Sequence, residues 1–114
     1  MSTGEKLRHI VMFGFKESAT EAEIGEIVRR FAELQHLVPG IEDFEWGVNN
    51  SPEGKSQGRT HCFLLTFASE AARDAYLPHP DHKAFSTFAR PWIDCVTVMD
   101  YWAGAASSSG PTNS

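Results

Sequence analysis

The segment from Tyr76 to His82 holds one tyrosine and two histidines around two prolines, in the order Tyr-Leu-Pro-His-Pro-Asp-His. Each proline disfavours helical backbone at the residue before it, and Pro80 suits the first position of a new helix. We therefore expect Tyr76 to end one helix and His82 to lie in the first turn of the next. The stiff elbow between them fixes the relative placement of the two side chains.

A tyrosine and a histidine in this arrangement suit acid–base chemistry on a carbonyl compound. The positive end of a helix dipole disfavours a protonated His82, so a neutral imidazole is available as a general base near pH 7. The Tyr76 hydroxyl could donate a hydrogen bond to a carbonyl or enolate oxygen. The alternative is structural, with Tyr76 anchoring its helix end and His82 only capping the next helix. The residues alone leave both interpretations open.

Two further histidines, His9 and His61, lie on strand faces that are otherwise apolar. A histidine on such a face is often a hydrogen-bonded core residue, whereas two of them favour a polar spot in an apolar cavity. His79 and His82 have the spacing of two metal ligands, but no third ligand is near them in the sequence, so no metal is expected. No phosphate loop, dinucleotide fingerprint or flavin motif is present, and no cofactor is predicted.

The composition is that of one folded domain: 114 residues, 41% hydrophobic and 22% charged, with a net charge of −5. An acidic chain without a basic stripe is a poor candidate for binding nucleic acid. No apolar run approaches the roughly 20 residues that cross a bilayer, and the N-terminus lacks the apolar stretch of a signal peptide. Two cysteines without a pairing pattern indicate a reducing compartment, so we expect a cytoplasmic protein that does not bind membranes.

Hydrophobic periodicity predicts the elements that must position these residues. Strands are expected over 8–15, 44–48, 60–67 and 95–102. A first helix is capped by Thr20 and Glu23 and ends at Pro39–Gly40, a second runs over 70–77 behind Ser69, and a third begins at Pro80 and ends near Pro91. The third helix is expected to turn four residues inward: Ala84, Phe85, Phe88 and Ala89.

This order, β-α-β-β-α(α)-β, predicts an α+β, ferredoxin-like fold with a four-stranded antiparallel sheet and helices on one face. The other face is apolar, since it carries Ile10, Met12, Leu64, Met99 and Tyr101. A second copy packing sheet against sheet would cover this face, so we predict a homodimer. The alternative is a monomer with an exposed apolar sheet. Residues 103–114 hold no charge and no large apolar side chain, and are predicted to form a flexible tail.

Four segments together resemble the stress-responsive dimeric A/B-barrel (Dabb) family: RHIVMFGF, NNSPEGKSQGRTHCFLLTF, DAYLPHPDHKAF and VTVMDY. The match runs over 7–102. It implies a ferredoxin-like domain that dimerises through its sheets into an α/β barrel, which agrees with the arrangement expected from periodicity.

The family includes a plant cyclase that closes a linear polyketide by an aldol-type reaction, and a hydroxynitrile lyase is similar to it. The resemblance implies that His82 is a catalytic histidine, that Tyr76 positions a carbonyl, and that His9 and His61 are further active-site residues. It also implies an apolar, substrate-binding pocket lined by Val28, Phe31, Phe63, Phe85 and Val98.

Two functions stay open at this point. One is cofactor-independent acid–base catalysis on a ketone or polyketide-like substrate, by an aldol-type cyclase or a lyase. The other is a non-catalytic stress-responsive or ligand-binding protein with a small hydrophobic or aromatic ligand. A pocket that reaches both Tyr76 and His82 would favour the enzyme, and a filled core with both groups turned to solvent would favour the binding protein.

Overall fold

A computed structural model describes residues 5–104, which form one antiparallel sheet with three helices packed on one of its faces. The elements are β1 (Lys6–Phe15), α1 (Glu21–Leu37), β2 (Ile41–Val48), β3 (His61–Phe67), α2 (Glu70–Tyr76), α3 (Pro80–Ala89), a 3₁₀ turn (Arg90–Trp92) and β4 (Ile93–Ala103). The predicted ferredoxin-like fold is confirmed. Within this range, the helices are all too short or too polar to cross a membrane.

Two of the helices begin where their capping residues predict. The Thr20 hydroxyl accepts a hydrogen bond from the Glu23 backbone N–H at 3.1 Å, and the Glu23 carboxylate accepts one from the Thr20 N–H at 2.9 Å. The Ser69 hydroxyl accepts from the Ala72 N–H at 3.1 Å. These side chains satisfy backbone donors that the first turn of a helix leaves unpaired.

β1, β2 and β4 extend beyond their predicted ends because cross-strand pairing continues there, whereas β3 begins one residue later than predicted, at His61. β2 begins at Ile41, three residues early, since Gly40 adopts a φ of +100° that turns the chain directly into pairing with Phe67. β1 and β4 lengthen together, because Lys6 pairs with Ala103. Ala103, the first residue of the predicted tail, therefore ends a strand. The remainder of that tail, from 105 to 114, lies outside the described residues.

The sheet has the order β2-β3-β1-β4, so β1 and β3 lie at its centre. On the helix side, a group of phenyl rings packs at the centre of the core, where Phe31 lies 4.5 Å from Phe63 and 4.6 Å from Phe85 between ring centroids. Burial of such rings contributes about 1.5–3 kcal/mol each. The core therefore holds the helices against the two central strands.

The prediction for α3 is wrong at Ala84, which is exposed. Phe85 and Ala89, four residues apart, set the buried side of α3, and Ala84 lies about 100° away from Phe85 around the helix. Phe88 is half-buried, with its ring 3.8 Å from the guanidinium of Arg30.

Two surfaces of the sheet stay uncovered. On the face away from the helices, Met99 and Tyr101 are 60% and 45% exposed. On the helix side of the edge strand β4, Val96 and Val98 are more than half exposed, because the helices leave this edge of the sheet open. The first surface is a broad apolar face, and the second is a narrow apolar track.

Candidate functional site

Tyr76 is fully buried at the end of α2, and its hydroxyl has no hydrogen-bond partner among the described residues. Its ring lies between other rings, with centroids 5.9 Å from His9, 5.4 Å from Phe67 and 4.3 Å from His82. Burial raises the pKa of the hydroxyl, so it stays a neutral donor at physiological pH. A buried polar group without a partner is costly and typical of functional sites.

His82 lies in the first turn of α3 and is fixed by the elbow that precedes it. Its Nδ1 is 2.9 Å from the Leu77 carbonyl oxygen. Because a carbonyl only accepts hydrogen bonds, Nδ1 carries the hydrogen, and Nε2 of the neutral ring keeps its lone pair. Nε2 is therefore the basic atom of this side chain.

The pKa of His82 is lowered, first of all by burial. The hydrogen bond to Leu77 acts in the opposite direction, and the proximity of His9 and His79 lowers the pKa further, because a charge on either ring would oppose a charge on His82. The result is a neutral imidazole near pH 7, which is the state a general base needs. The capping role that the sequence left open for His82 belongs instead to His79, whose Nδ1 accepts from the Asp81 N–H at 3.1 Å.

His9 lies beside this pair on β1 and is almost completely buried. Its Nδ1 is 2.7 Å from a carboxylate oxygen of Asp100, the residue that faces it across the β1–β4 pairing. The other oxygen of Asp100 accepts a hydrogen bond from Nη1 of Arg73 at 2.7 Å. Arg73, Asp100 and His9 thus form a chain of hydrogen bonds that ends next to Tyr76.

Sequence reasoning missed Asp100 and Arg73. A signal existed for Asp100, because it interrupts the apolar alternation begun by Val96 and Val98 on the helix side of β4. Arg73 precedes Tyr76 by three residues, so the two share a face of α2. Neither signal shows that Asp100 is the partner of His9. That pairing depends on the register of β1 and β4, and the two residues are 91 positions apart in the sequence.

The structure places His61 elsewhere. His61 is the first residue of β3, four residues before Leu65, which pairs with His9 across the sheet. At the usual rise per strand residue, His61 is about 13 Å along β3 from Leu65. Its Nδ1 is 2.8 Å from the Thr60 hydroxyl, and its ring is parallel to that of Trp46 at 6.0 Å between centroids. Burial lowers the pKa of His61. The group formed by Tyr76, His82 and His9 therefore stands apart from it.

The residues expected to line a pocket fall into two groups. Val28, Phe31, Phe63 and Phe85 are buried, and Phe31 packs against both Phe63 and Phe85. Val98 is 55% exposed on the open track of β4. Phe85 of this set lines a groove of about 340 Å³ between α3 and β4 that also contacts Phe13, Ala89 and Val96.

A larger cavity of about 530 Å³ lies on the opposite side of the sheet, under the loop that joins β2 and β3. Met12, Cys62 and Thr97 form part of its floor, and Lys55 and Arg59 line it as well. Neither Tyr76 nor His82 borders it or the smaller groove, so neither of these two cavities is the pocket expected to reach both residues. We assign the candidate site by its chemistry, because the unpaired donor found among residues 5–104 is the Tyr76 hydroxyl and the ring of His82 lies next to it. Nowhere in residues 5–104 do three metal-ligating side chains cluster.

Known proteins resemble this chain along almost its whole described length. The model of the family described as "Stress responsive A/B Barrel Domain" (Dabb) matches residues 7–103. The stress-response A/B barrel domain-containing protein HS1 of Arabidopsis thaliana is 35% identical over 95 residues, which cover 83% of this chain and 87% of that protein. Olivetolic acid cyclase of Cannabis sativa is 28% identical over 95 residues, covering 83% of this chain and 94% of the cyclase.

Solved structures agree with these matches. A hydroxynitrile lyase from Passiflora edulis superposes with a TM-score of 0.83 at 25% identity, over 90% of this chain and 97% of the lyase. A protein from Jannaschia, described as dimeric, ferredoxin-like and of unknown function, has a TM-score of 0.73 at 29% identity, over 84% of this chain and 97% of that one. Similar proteins thus include a cyclase, a lyase and proteins without an assigned reaction.

Proposed function

Because the chain belongs to the stress-responsive A/B barrel (Dabb) family, we propose that it is a cofactor-independent acid–base catalyst of the cyclase or lyase type. The substrate class is a ketone or a polyketide-like compound. The observation that supports this most strongly is the buried, unpartnered hydroxyl of Tyr76, which lies beside a histidine whose free nitrogen is Nε2. A donor and a base next to each other are what the removal of a proton next to a carbonyl requires.

In the proposed cyclase reaction, Nε2 of His82 takes a proton from the carbon next to a carbonyl. The electron pair of the broken C–H bond moves to the carbonyl oxygen, and the Tyr76 hydroxyl donates a hydrogen bond to the resulting enolate. The enolate carbon then attacks a second carbonyl of the same molecule. The new alkoxide takes back the proton from His82, so the step neither gains nor loses atoms or electrons.

The remaining predicted residues serve substrate binding in this proposal. His9 offers Nε2 as an acceptor, since its Nδ1 donates to Asp100. Val98 and Phe85 would contact an apolar tail that runs along β4 into the 340 Å³ groove. Val28, Phe31 and Phe63 form the packed layer behind Phe85. His61, about 13 Å away along the sheet, would meet only a long substrate.

A homodimer is part of the same proposal. The sheet face away from the helices carries Met99 and Tyr101, both exposed, together with half-buried Ile10, Met12 and Leu64. Apolar faces of this kind are typical of interfaces, and a two-fold dimer would cover both copies at once. The Jannaschia protein of the same fold, described as dimeric, supports this arrangement.

A cytoplasmic location also remains a proposal. Cys62 and Cys95 are both free thiols, and Cys62 is exposed on the sheet face away from the helices. Free thiols are stable in a reducing compartment. Fractionation of cells that express a tagged protein tests the location.

The second candidate function is a stress-responsive or ligand-binding protein without catalysis. It is favoured by the close packing of Phe31 with Phe63 and Phe85, at 4.5 and 4.6 Å, which fills the region expected to be a pocket. The relative with the highest identity reported above is named as a stress-response protein. Under this function, Tyr76 and His82 would contact a bound small molecule without moving a proton.

The two functions are separated by proton exchange and by turnover. Suitable probes are 4-phenylbutan-2-one in D₂O, followed by NMR at the carbons next to the carbonyl, nonane-2,6-dione, which can close a six-membered ring by an intramolecular aldol step, and mandelonitrile for the lyase reaction. We expect catalysis of at least one probe by the wild-type protein and its loss in His82→Gln. His36→Gln is the matched control, since His36 is exposed at the end of α1. Binding of a probe without exchange or turnover would favour the second function.

A further inference from the structure

Arg73 is held in one place by carboxylates on both sides. Its Nη1 donates to Asp100 at 2.7 Å, and its Nε donates to Asp74 at 2.7 Å. The two pairs differ in surroundings, because the side chain of Asp74 is 64% exposed and that of Asp100 only 23%. Solvent screens the first pair, so the pair with Asp100 is the stronger interaction.

The carboxylate of Asp100 is shared between two donors, with His9 on one oxygen and Arg73 on the other. This fixes the rotation of the carboxylate, and it determines which nitrogen of His9 carries a hydrogen. It also offsets the charge of Asp100. A carboxylate without a cation next to it would favour a proton on both nitrogens of its histidine neighbour, whereas a carboxylate paired with a guanidinium favours this much less.

We propose that Arg73 is a positioning residue of the site: by pairing with Asp100, it keeps His9 a neutral imidazole with its hydrogen on Nδ1 and its lone pair on Nε2. This inference rests on the proposed function, in which His9 accepts a hydrogen bond from the substrate. A protonated His9 would donate from Nε2 instead, and the site would lose that acceptor.

Few charged or titratable groups face His9 besides Asp100 and Arg73. β4 contributes Asp100, α2 contributes Arg73 and the neutral hydroxyl of Tyr76, and α3 contributes His82. β3 contributes the apolar side chains of Leu65, which pairs with His9, and Phe67, whose ring centroid is 6.2 Å from that of His9. A charge on His9 would lower the pKa of His82 and so weaken it as a base. A neutral His9 therefore keeps its own acceptor nitrogen and leaves the basicity of His82 intact.

The test is the nitrogen NMR spectrum of the His9 ring at pH 7, in uniformly ¹⁵N-labelled protein, with the signals assigned by their loss in His9→Gln. Wild type and Arg73→Lys are expected to show one protonated nitrogen, Nδ1, and one bare nitrogen, Nε2. Arg73→Met is expected to move Nε2 most of the way towards the protonated signal. Asp74→Asn, which removes only the exposed partner of Arg73, is expected to leave the spectrum unchanged.

The same variants separate this inference from the proposed function. On a probe that wild type turns over, Arg73→Met is expected to lower kcat about tenfold or more without a comparable rise in KM, and Arg73→Lys to restore most of it. An unchanged His9 spectrum in folded Arg73→Met, verified by circular dichroism, overturns the role of Arg73 whatever the turnover shows. Should Arg73→Met fail to fold, Arg73→Gln carries the same test. A changed spectrum without catalysis on any probe supports the positioning role and counts against the enzyme.

Discussion

Replacing Tyr76 with phenylalanine removes one oxygen atom from the centre of the proposed site. The ring contacts with His9, Phe67 and His82 are retained, and no hydrogen bond to the described residues is lost. Tyr76→Phe therefore separates stability from activity. The substitution is expected to raise stability and to lower turnover strongly.

The expected gain in stability follows from the missing partner. A buried hydroxyl without a hydrogen-bond partner destabilises the folded protein by about 1–3 kcal/mol, so its removal should increase stability. If the hydroxyl had a partner, its removal would instead decrease stability by a similar amount. We expect the free energy of unfolding to rise by about 1 kcal/mol, which raises the Tm of a domain of this size by roughly 4–8 °C. Turnover should fall about 10²–10³-fold, as is typical when one donor to a developing oxyanion is removed.

The assay is urea and thermal unfolding by circular dichroism, at several protein concentrations so that dimer dissociation is recognised. Tyr101→Phe is the comparison variant, because Tyr101 is 45% exposed in the single chain and lies on the face proposed for the dimer. Any effect of Tyr101→Phe on stability should therefore depend on protein concentration, whereas that of Tyr76→Phe should not. A loss of 1 kcal/mol or more in Tyr76→Phe would mean that the hydroxyl has a partner. That result would contradict a hydroxyl without a partner, and unchanged turnover would contradict its role in catalysis.

Three further predictions concern pH, assembly and the core. Burial lowers the pKa of His82 below the ordinary 6.5, so the unfolded chain binds more protons than the folded one just below pH 6.5. The free energy of unfolding should therefore fall as the pH drops from 6.5 through the folded pKa, and urea titrations of His82→Gln should show a flatter profile; an identical profile would contradict this. Met99→Glu should convert the proposed dimer to monomer in sedimentation, whereas Leu37→Glu, a change at an exposed position on α1, should not; a dimer that survives Met99→Glu would count against this face as the interface. Phe31→Ala should lower the free energy of unfolding by about 3–5 kcal/mol, because Phe31 is packed among rings. A loss below about 1 kcal/mol would instead indicate a wall beside an open pocket.

The elements of the fold were predictable because local signals determine them. The capping box of Thr20 and Glu23, the cap at Ser69 and the proline at the start of α3 fall where the helices begin. The start of β2 was missed because a turn at Gly40 rather than an alternation determines it. Hydrophobic alternation does not show where a strand begins when a turn determines its first residue.

The candidate site was predictable only in part. Tyr76 and His82 lie six residues apart on either side of a proline elbow, so the sequence itself brings them together. The partner of His9 comes from β4, and its identity depends on the register of the β1–β4 pairing. The same limit applies to Arg73, which reaches Asp100 only through the packing of α2 over the sheet. Long-range pairings of this kind are fixed by tertiary structure and leave little trace in local spacing.

The central claim is that His82 moves a proton. It is tested most directly by the rate of deuterium incorporation next to the carbonyl of 4-phenylbutan-2-one in D₂O, for wild type, His82→Gln and His36→Gln at equal concentrations of folded protein. We expect catalysed exchange by wild type and His36→Gln, and exchange at the rate of buffer alone for His82→Gln. Equal catalysed rates for all three proteins would contradict it.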